Sequence, residues 1–214
     1  MLVKTLMSQP VTTVQEDTMV GEALDILKTK NIRHLPVVDC NGKLKGLATE
    51  WDLLKIFPLK NNNSFETNLI SRTPIKNVMQ INPVVITSEE TIEHAAVQMQ
   101  CNKVGCLPVL EGEQVVGLIS LTDILTAFID AMGLEQASVR ITIKFTKQVG
   151  FLAELIKLVD GLGIIVDNMV TFHDEIVLKI KNIKTDELLN TLKDDGYLVT
   201  HVAYIGGTGE NCPI

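Results

Sequence analysis

The sequence predicts an α+β protein: two tandem copies of a βαββα-type unit, then a ferredoxin-like βαββαβ domain. Three observations predict it. A short pattern occurs twice, as Gly46-Leu47-Ala48-Thr49-Glu50-Trp51-Asp52 and as Gly117-Leu118-Ile119-Ser120-Leu121-Thr122-Asp123. Its surroundings repeat as well: Met7 and Met79, like Pro36 and Pro108, stand 72 positions apart, and Asp52 and Asp123 stand 71 apart. Beyond residue 137, period-2 and period-3.6 apolar patterns alternate in the order strand, helix, strand, strand, helix, strand. The predicted boundaries are 1–72 for the first repeat with its linker, 73–133 for the second, 137–205 for the last domain and 206–214 for a flexible tail.

Each repeat opens with a Met-containing turn and an X-Pro strand. These are Gln9-Pro10-Val11-Thr12-Thr13-Val14 and Asn82-Pro83-Val84-Val85-Ile86-Thr87, where proline drives its predecessor to extended geometry. A helix follows. Val20, Ala23, Leu24 and Leu27, and then Ile92, Ala95, Ala96 and Met99, fall at i, i+3, i+4 and i+7, one stripe facing a core. Thr87-x-x-Glu90 predicts a capping box for the second of these helices. Next come hairpins: Leu35-Pro36-Val37-Val38, a turn at Asn41-Gly42 and Leu44–Leu47, then Leu107-Pro108-Val109-Leu110, a turn at Glu111-Gly112 and Val115–Ile119. Residues 58–73, with Pro58 and Asn61-Asn62-Asn63-Ser64, read as the polar connector. Leu121, Ile124, Leu125, Phe128, Ile129 and Met132 predict a helix closed by Gly133. Its apolar positions exceed one narrow stripe. That fits a second copy of the protein, the domain beyond, or an ordinary core.

The doubled pattern has a chemical reading. Glycine permits close backbone approach, and a helix start presents unpaired N–H groups. With a hydroxyl beside them, those groups can hold a phosphate. An ionised aspartate only accepts, so it can take two hydroxyl protons from a ribose. The alternative is local: Thr49 or Ser120 caps its helix, with Asp52 or Asp123 in the first turn.

Composition narrows the field. The 214 residues are 46% hydrophobic, enough for real cores, and the formal net charge of −7 argues against nucleic-acid or anionic-membrane partners. No apolar run reaches about 18 residues, and Met1-Leu2-Val3-Lys4-Thr5 holds no signal-peptide core. Cys40, Cys101, Cys106 and Cys212 follow no metal spacing, so reduced thiols in the cytoplasm are expected. No Ser-His-Asp or Cys-His arrangement and no Walker loop stands out, and His34, His94, His173 and His201 fall in unrelated elements. The expectation is a protein that is not an enzyme and requires no metal or cofactor.

The repeated Met-x-x-x-Pro-Val, Leu-Pro-Val and Gly-x-x-Thr/Ser-x-x-Asp pattern over residues 1–130 resembles a tandem pair of cystathionine-beta-synthase (CBS) domains, a Bateman module. The resemblance implies two clefts that bind adenosine derivatives such as AMP, ADP, ATP or S-adenosylmethionine. Carried over to this chain, it implies ribose contacts from Asp52 and Asp123, and ribose or phosphate contacts from Thr49, Ser120 and Thr122. It implies an adenine wall from the backbone at Val11-Thr12 and Val84-Val85. Pro36 and Pro108 of the Leu-Pro-Val strands count among the implied site residues. The copies differ: Arg33 and His34 offer two cations for phosphate where the second copy has Gly105 and Cys106. Their plainer roles are a solvated surface charge and a half-buried strand residue. Trp51 stands where the second copy has Thr122, and either narrows a cleft, stacks on a base or packs at the helix start.

In the last domain, Val139, Ile141, Ile143 and Phe145 alternate with polar residues as a strand with one buried face. Leu152, Leu155, Ile156 and Val159 form a helix closing near Gly161 or Gly163. Strands at about Ile164–Thr171 and Ile176–Ile180 flank a turn at His173-Asp174. Thr185 is a candidate cap for a helix with Leu188, Leu189 and Leu192, ending at Gly196, before a strand from Tyr197 to Tyr204. This order resembles an ACT domain. The family's loop, an acidic residue followed by Pro-Gly-x-Leu, corresponds to Lys147-Gln148-Val149-Gly150-Phe151-Leu152, which keeps the glycine and leucine but lacks the acid and proline. The loop is either a ligand site or a tight turn in a dimerising domain. Gly206-Gly207-Thr208-Gly209 has no helix after it to receive a phosphate. Two CBS repeats before an ACT domain resemble the acetoin-utilisation protein AcuB group. The resemblance implies a cytosolic regulatory homodimer that binds an adenine nucleotide and acts on a partner enzyme not yet identified. The alternatives are a dimerising scaffold with vestigial clefts, or amino-acid sensing by the ACT domain.

Overall fold

The computed structural model describes residues 1–57, 69–133, 138–145, 148–181 and 184–205. Most of the polar connector, Lys147 of the loop before the last domain's first helix, and the 206–214 tail lie outside them. The chain forms two compact units, Met1–Leu125 and Thr126–Ile214. Among the described residues no helix is long and apolar enough to cross a membrane.

In the first unit, the first repeat supplies β1 (Val14–Gln15), α1 (Val20–Thr29), β2 (His34–Val38), β3 (Leu44–Thr49) and α2 (Glu50–Leu54). After β4 (Gln80–Ile81) the second repeat follows with β5 (Ile86–Thr87), α3 (Ile92–Asn102), β6 (Cys106–Glu111), β7 (Gln114–Ser120) and α4 (Leu121–Ala131), whose residues from Thr126 on belong to the second unit. The strands form sheets of order β1-β2-β3-β4 and β5-β6-β7. The helix stripes face inward as the periodicity requires: Val20, Ala23 and Leu27 pack in one core, Ala95 and Met99 in the other.

Two local expectations are corrected in the repeats. The X-Pro strands are short: only Val14–Gln15 and Ile86–Thr87 pair, in parallel, with β2 and β6. Val11-Thr12 and Val84-Val85 precede the ladder, and the neighbouring prolines have no N–H to extend it. Glu90 does close on Thr87, accepting its N–H and hydroxyl at 3.1 Å each. That loop lies ahead of the helix, whose N-cap is Thr91, accepting from the His94 N–H at 3.2 Å.

The leading segments of the repeats are exchanged. Val3, fully buried, and Met7 pack in the core of the second repeat, while Ile75, fully buried, and Met79 pack in that of the first. The backbone follows suit. The Val3 N–H donates to Glu90 O at 2.8 Å and the Ser8 N–H to Leu118 O at 2.8 Å. In return the Ile75 N–H donates to Thr18 O at 2.8 Å, and β4 pairs with β3 at Gly46 and Leu47. A glycine stands where each methionine crosses. A Cβ on Gly117 would lie 2.5 Å from Met7 Sδ, and one on Gly46 would lie 2.5 Å from Met79 Sδ.

The second unit contains β8 (Ser138–Lys144), α5 (Phe151–Gly161), β9 (Val166–Phe172), β10 (Glu175–Ile180), α6 (Thr185–Asp194) and β11 (Val199–Ile205). Its sheet is antiparallel with order β11-β8-β10-β9, the ferredoxin-like arrangement. Val139, Ile141 and Ile143 are fully buried against both helices' apolar residues. Thr185 is the first residue of α6 rather than its cap. The N-cap is Lys184, at φ +59°, with no side-chain cap bond. Lys179 is only 2% exposed, and its ammonium donates to Met132 O at 3.2 Å and to Gly133 O, at the end of α4. A lysine there satisfies terminal carbonyls and favours the helix dipole. Lys179→Met is expected to lower the unfolding free energy by about 1–2 kcal/mol, read from urea midpoints, because those carbonyls lose their donor.

Candidate functional site

A cavity of about 370 Å³ opens in the first unit, within the roughly 300–1,000 Å³ range of small-molecule sites. Both repeats build it. The first supplies Ser8, Pro10, Val11 and Thr12 from the leading segment, Asn31, Ile32 and Arg33 from the bend between α1 and β2, and His34 from the start of β2. The second supplies Leu118 and Ser120 from β7 and Thr122 and Asp123 from the first turn of α4. Asn31 makes the bend at φ +52°, and the Ile32 N–H donates to Leu27 O at 2.9 Å, so the end of α1 aims the next two residues at the cavity wall. The Ser8–Leu118 bridge holds the leading segment against β7. Lys30 Nζ donates to Thr12 Oγ1 at 3.1 Å.

Asp123 Oδ2 accepts from the Ser120 N–H and hydroxyl, both at 2.7 Å. No described residue donates to Oδ1, so this carboxylate closes its own cap and keeps an acceptor for a ligand hydroxyl. Arg33 is exposed and has no carboxylate partner among the described residues. His34 is half-buried, its Nε2 3.7 Å from where a Cβ on Gly105 would stand. Burial, and then the Arg33 charge, push the imidazole below its ordinary pKa, against a smaller upward pull from Asp123. Cys106, the counterpart of His34, is buried, and burial together with Asp123 pushes its thiol up to about 12.

The first copy of the doubled pattern is arranged otherwise. Asp52 Oδ2 accepts from the Thr49 N–H at 3.1 Å and hydroxyl at 2.7 Å, and Lys55 Nζ takes Oδ1 at 2.7 Å. Burial works against the charge, but the hydrogen bonds from Lys55 and Thr49 prevail and hold this carboxyl below its usual range. Thr49 and Asp52 form a capping box, and neither lines the cavity. Thr126 stands where a second Lys55 would be, a contrast readable in the sequence.

Of the residues implied by resemblance, the structure brings Val11, Thr12, Arg33, His34, Ser120, Thr122 and Asp123 together. Val84 and Val85 lie outside the cavity, Val84 against the second core and Val85 40% exposed. Pro36 and Pro108 are buried in mid-hairpin, paired with Leu47 and Leu118, and neither lines the cavity. Trp51 is 74% exposed, so it neither narrows this cleft nor packs at the helix start. Sequence reasoning missed Ser8, Pro10, Asn31, Ile32 and Leu118. The matched helix-ending bends, Asn31 at φ +52° and Lys103 at φ +55°, leave only a helix-stop signal in the sequence.

In the second unit, Gly150 is the N-cap of α5 at φ +94°, a conformation that favours glycine, with Gln148 and Val149 exposed before it. Phe151 packs edge-on against Phe145 and Tyr197, at ring-centroid distances of 5.2 and 5.4 Å, and Leu152 is 38% exposed. Among the described residues no group of three His, Cys, Asp or Glu side chains is placed to hold a metal ion.

The CBS domain family matches residues 3–58 and 75–130. A CBS domain-containing protein of Dictyostelium discoideum is 34% identical over 135 residues, 61% of this chain and 93% of that protein. A homoserine O-acetyltransferase of Methanohalobium evestigatum is 32% identical over 123 residues, 57% of this chain but 23% of that protein, so this chain spans under a quarter of such relatives. Among solved structures, the CBS domain pair of protein MJ0100, in complex with 5′-methylthioadenosine and S-adenosylmethionine, is 32% identical with a TM-score of 0.51, covering 60% of this chain and 95% of that one. A protein described as a putative acetoin utilization protein (AcuB), from Vibrio cholerae, is 28% identical with a TM-score of 0.53, covering 63% and 94%. CBSX2 in complex with AMP is 26% identical with a TM-score of 0.51, covering 60% and 96%. With two family matches falling on the two structural repeats that build the cavity, the chain belongs to the CBS domain family, as a tandem pair.

Proposed function

We propose that this protein is a non-catalytic regulatory sensor that holds an adenosine-containing ligand in the cleft between its CBS repeats. One observation carries the reading: a single cavity gathers an acceptor carboxylate (Asp123), a hydroxyl (Thr122) and a guanidinium with no ion-pair partner among the described residues (Arg33). The carboxylate suits a ribose, and the Thr122 hydroxyl and the guanidinium suit an anionic tail. Similar CBS pairs bound to AMP, or to 5′-methylthioadenosine and S-adenosylmethionine, support it.

The sensor acts as a cytoplasmic homodimer on a partner enzyme, with the second unit serving as an ACT domain. The outward stripe of α4 supports the dimer: Leu121, Leu125 and Phe128 are each more than half exposed, while Ala127 of the same helix is buried. The sheet order of the second unit supports the ACT reading, and the likeness to the AcuB-described protein supports a place in acetoin or related carbon metabolism. The ligand regulates by binding one arrangement better than another. Calorimetry and thermal shift with AMP, ADP, ATP, S-adenosylmethionine and 5′-methylthioadenosine test the sensor reading. Saturable binding of at least one is expected. Binding of none overturns it in favour of a scaffold with vestigial clefts.

A further inference from the structure

We infer that this cleft selects adenosines bearing a 5′-phosphate over those bearing a thioether or sulfonium, through Arg33 and His34, and that His34 takes up a proton as the phosphate binds. The inference rests on the sensor reading and names the ligand class of the same cavity.

Arg33 and His34 are adjacent and both line the cavity wall, across from the hydroxyls and carboxylate of the second repeat. An ion pair would quench a guanidinium at such a place, yet none forms among the described residues. A phosphate supplies the forked acceptor that Arg33 lacks. A sulfonium brings a second positive charge to the same wall, and a thioether brings neither charge nor acceptor. The counterparts of these residues, Gly105 and Cys106, carry no cation, so the selectivity belongs to the cavity built around Arg33.

Proton uptake follows from what faces His34. From the bend just before its strand comes Arg33, from α4 comes Asp123, and from the start of β6 comes Cys106, whose thiol is neutral. Gly105, where a Cβ would stand 3.7 Å from His34 Nε2, has no side chain, and the neighbouring cation Lys30 donates to Thr12. Burial and Arg33 keep the unliganded imidazole largely neutral near pH 7. A dianion placed between Arg33 and His34 reverses the balance: it offsets the guanidinium and favours imidazolium.

The ligand's own chemistry makes the sign decisive. A phosphate monoester has its second pKa near about 6, so at pH 7.5 AMP is already almost wholly dianionic and has no site of its own that gains a proton on meeting cations. Calorimetry of the full chain at pH 7.5, in buffers of differing ionisation enthalpy, therefore counts protons taken by the protein. Expected results are AMP binding at least about tenfold tighter than 5′-methylthioadenosine or S-adenosylmethionine, and net uptake with AMP but none with 5′-methylthioadenosine. His34→Gln, with its fold checked by its unfolding midpoint, is expected to abolish the uptake, and Arg33→Gln to erase the preference. Equal or tighter binding of the thioether or sulfonium ligand overturns the inference and leaves the sensor reading standing. So does AMP binding without uptake, or unchanged uptake in His34→Gln. Failure of all three ligands to bind overturns both.

Discussion

Asp123→Ala is expected to weaken AMP binding about tenfold to a hundredfold, whereas Asp52→Ala leaves it within about twofold. The two aspartates hold equivalent positions, so the difference comes from their surroundings. Asp123 lines the cavity, and its hydrogen bonds to Ser120 both fall on Oδ2. A hydrogen bond from a ligand hydroxyl to its remaining oxygen is worth about 1.5–3 kcal/mol, which sets the expected range. Asp52 spends one oxygen on Thr49 and the other on Lys55, and lines no part of the cavity. Both variants lose a helix-start acceptor, so each is expected to lose about 1 kcal/mol of stability. For Asp52 that loss depends on pH. Its folded pKa lies below the ordinary value, so its contribution is full above about pH 4 and fades as pH falls through the folded value. Titrating both variants with AMP at pH 7.5 and unfolding them in urea at pH 7 and pH 3 separates the roles. Equal losses of affinity would remove Asp123 from the site.

How much of this was legible in the sequence depends on whether the cause is local. The duplication, both hairpins, the helix stripes and the ferredoxin-like order were legible, because periodicity and turn chemistry are written over a few residues. The inward halves of the site, Arg33-His34 and Ser120–Asp123, were legible as pieces for the same reason. Their meeting in one cavity was not. It follows from the exchange of leading segments, which places Ser8 and Pro10 against the second repeat, and only long-range pairing decides that. Trp51 shows the opposite failure. Alignment with Thr122 offered it a cleft, a base to stack on or a place in helix-start packing, but Asp52 and Lys55 close their pair beside it, and the indole stands in solvent. In the last domain the loop at Gly150 was legible as a turn, because φ +94° needs glycine there, whereas nothing in Gln148-Val149 distinguishes a ligand loop from a connection.

The exchange itself yields the remaining large effect. Gly46→Ala is expected to cost about 1–3 kcal/mol of stability, and Gly117→Ala distinctly less, although both glycines sit under a methionine from the other repeat. At Gly117 an added Cβ would meet only Met7 side-chain atoms: Sδ at 2.5 Å, Cγ at 3.0 Å and Cβ at 3.3 Å. An unbranched methionine can change rotamer to relieve such a clash. At Gly46 the Cβ would also lie 2.8 Å from Gln80 O, and this carbonyl belongs to β4, whose pairing with Gly46 and Leu47 fixes it. Backbone held in a ladder does not move aside as a side chain does. Double-mutant cycles separate the causes. Met7→Ala should absorb most of the Gly117→Ala penalty, so that the double variant loses less than the sum of the single losses. Met79→Ala should relieve Gly46→Ala only in part, because the Gln80 carbonyl stays where it was. Urea midpoints supply the energies, and hydrogen exchange supplies the location: lost protection for Gly46→Ala should centre on β3 and β4, in the first repeat's sheet. Full rescue of Gly46→Ala by Met79→Ala would mean that β4 yields, and that the exchanged segment rests on its methionine alone.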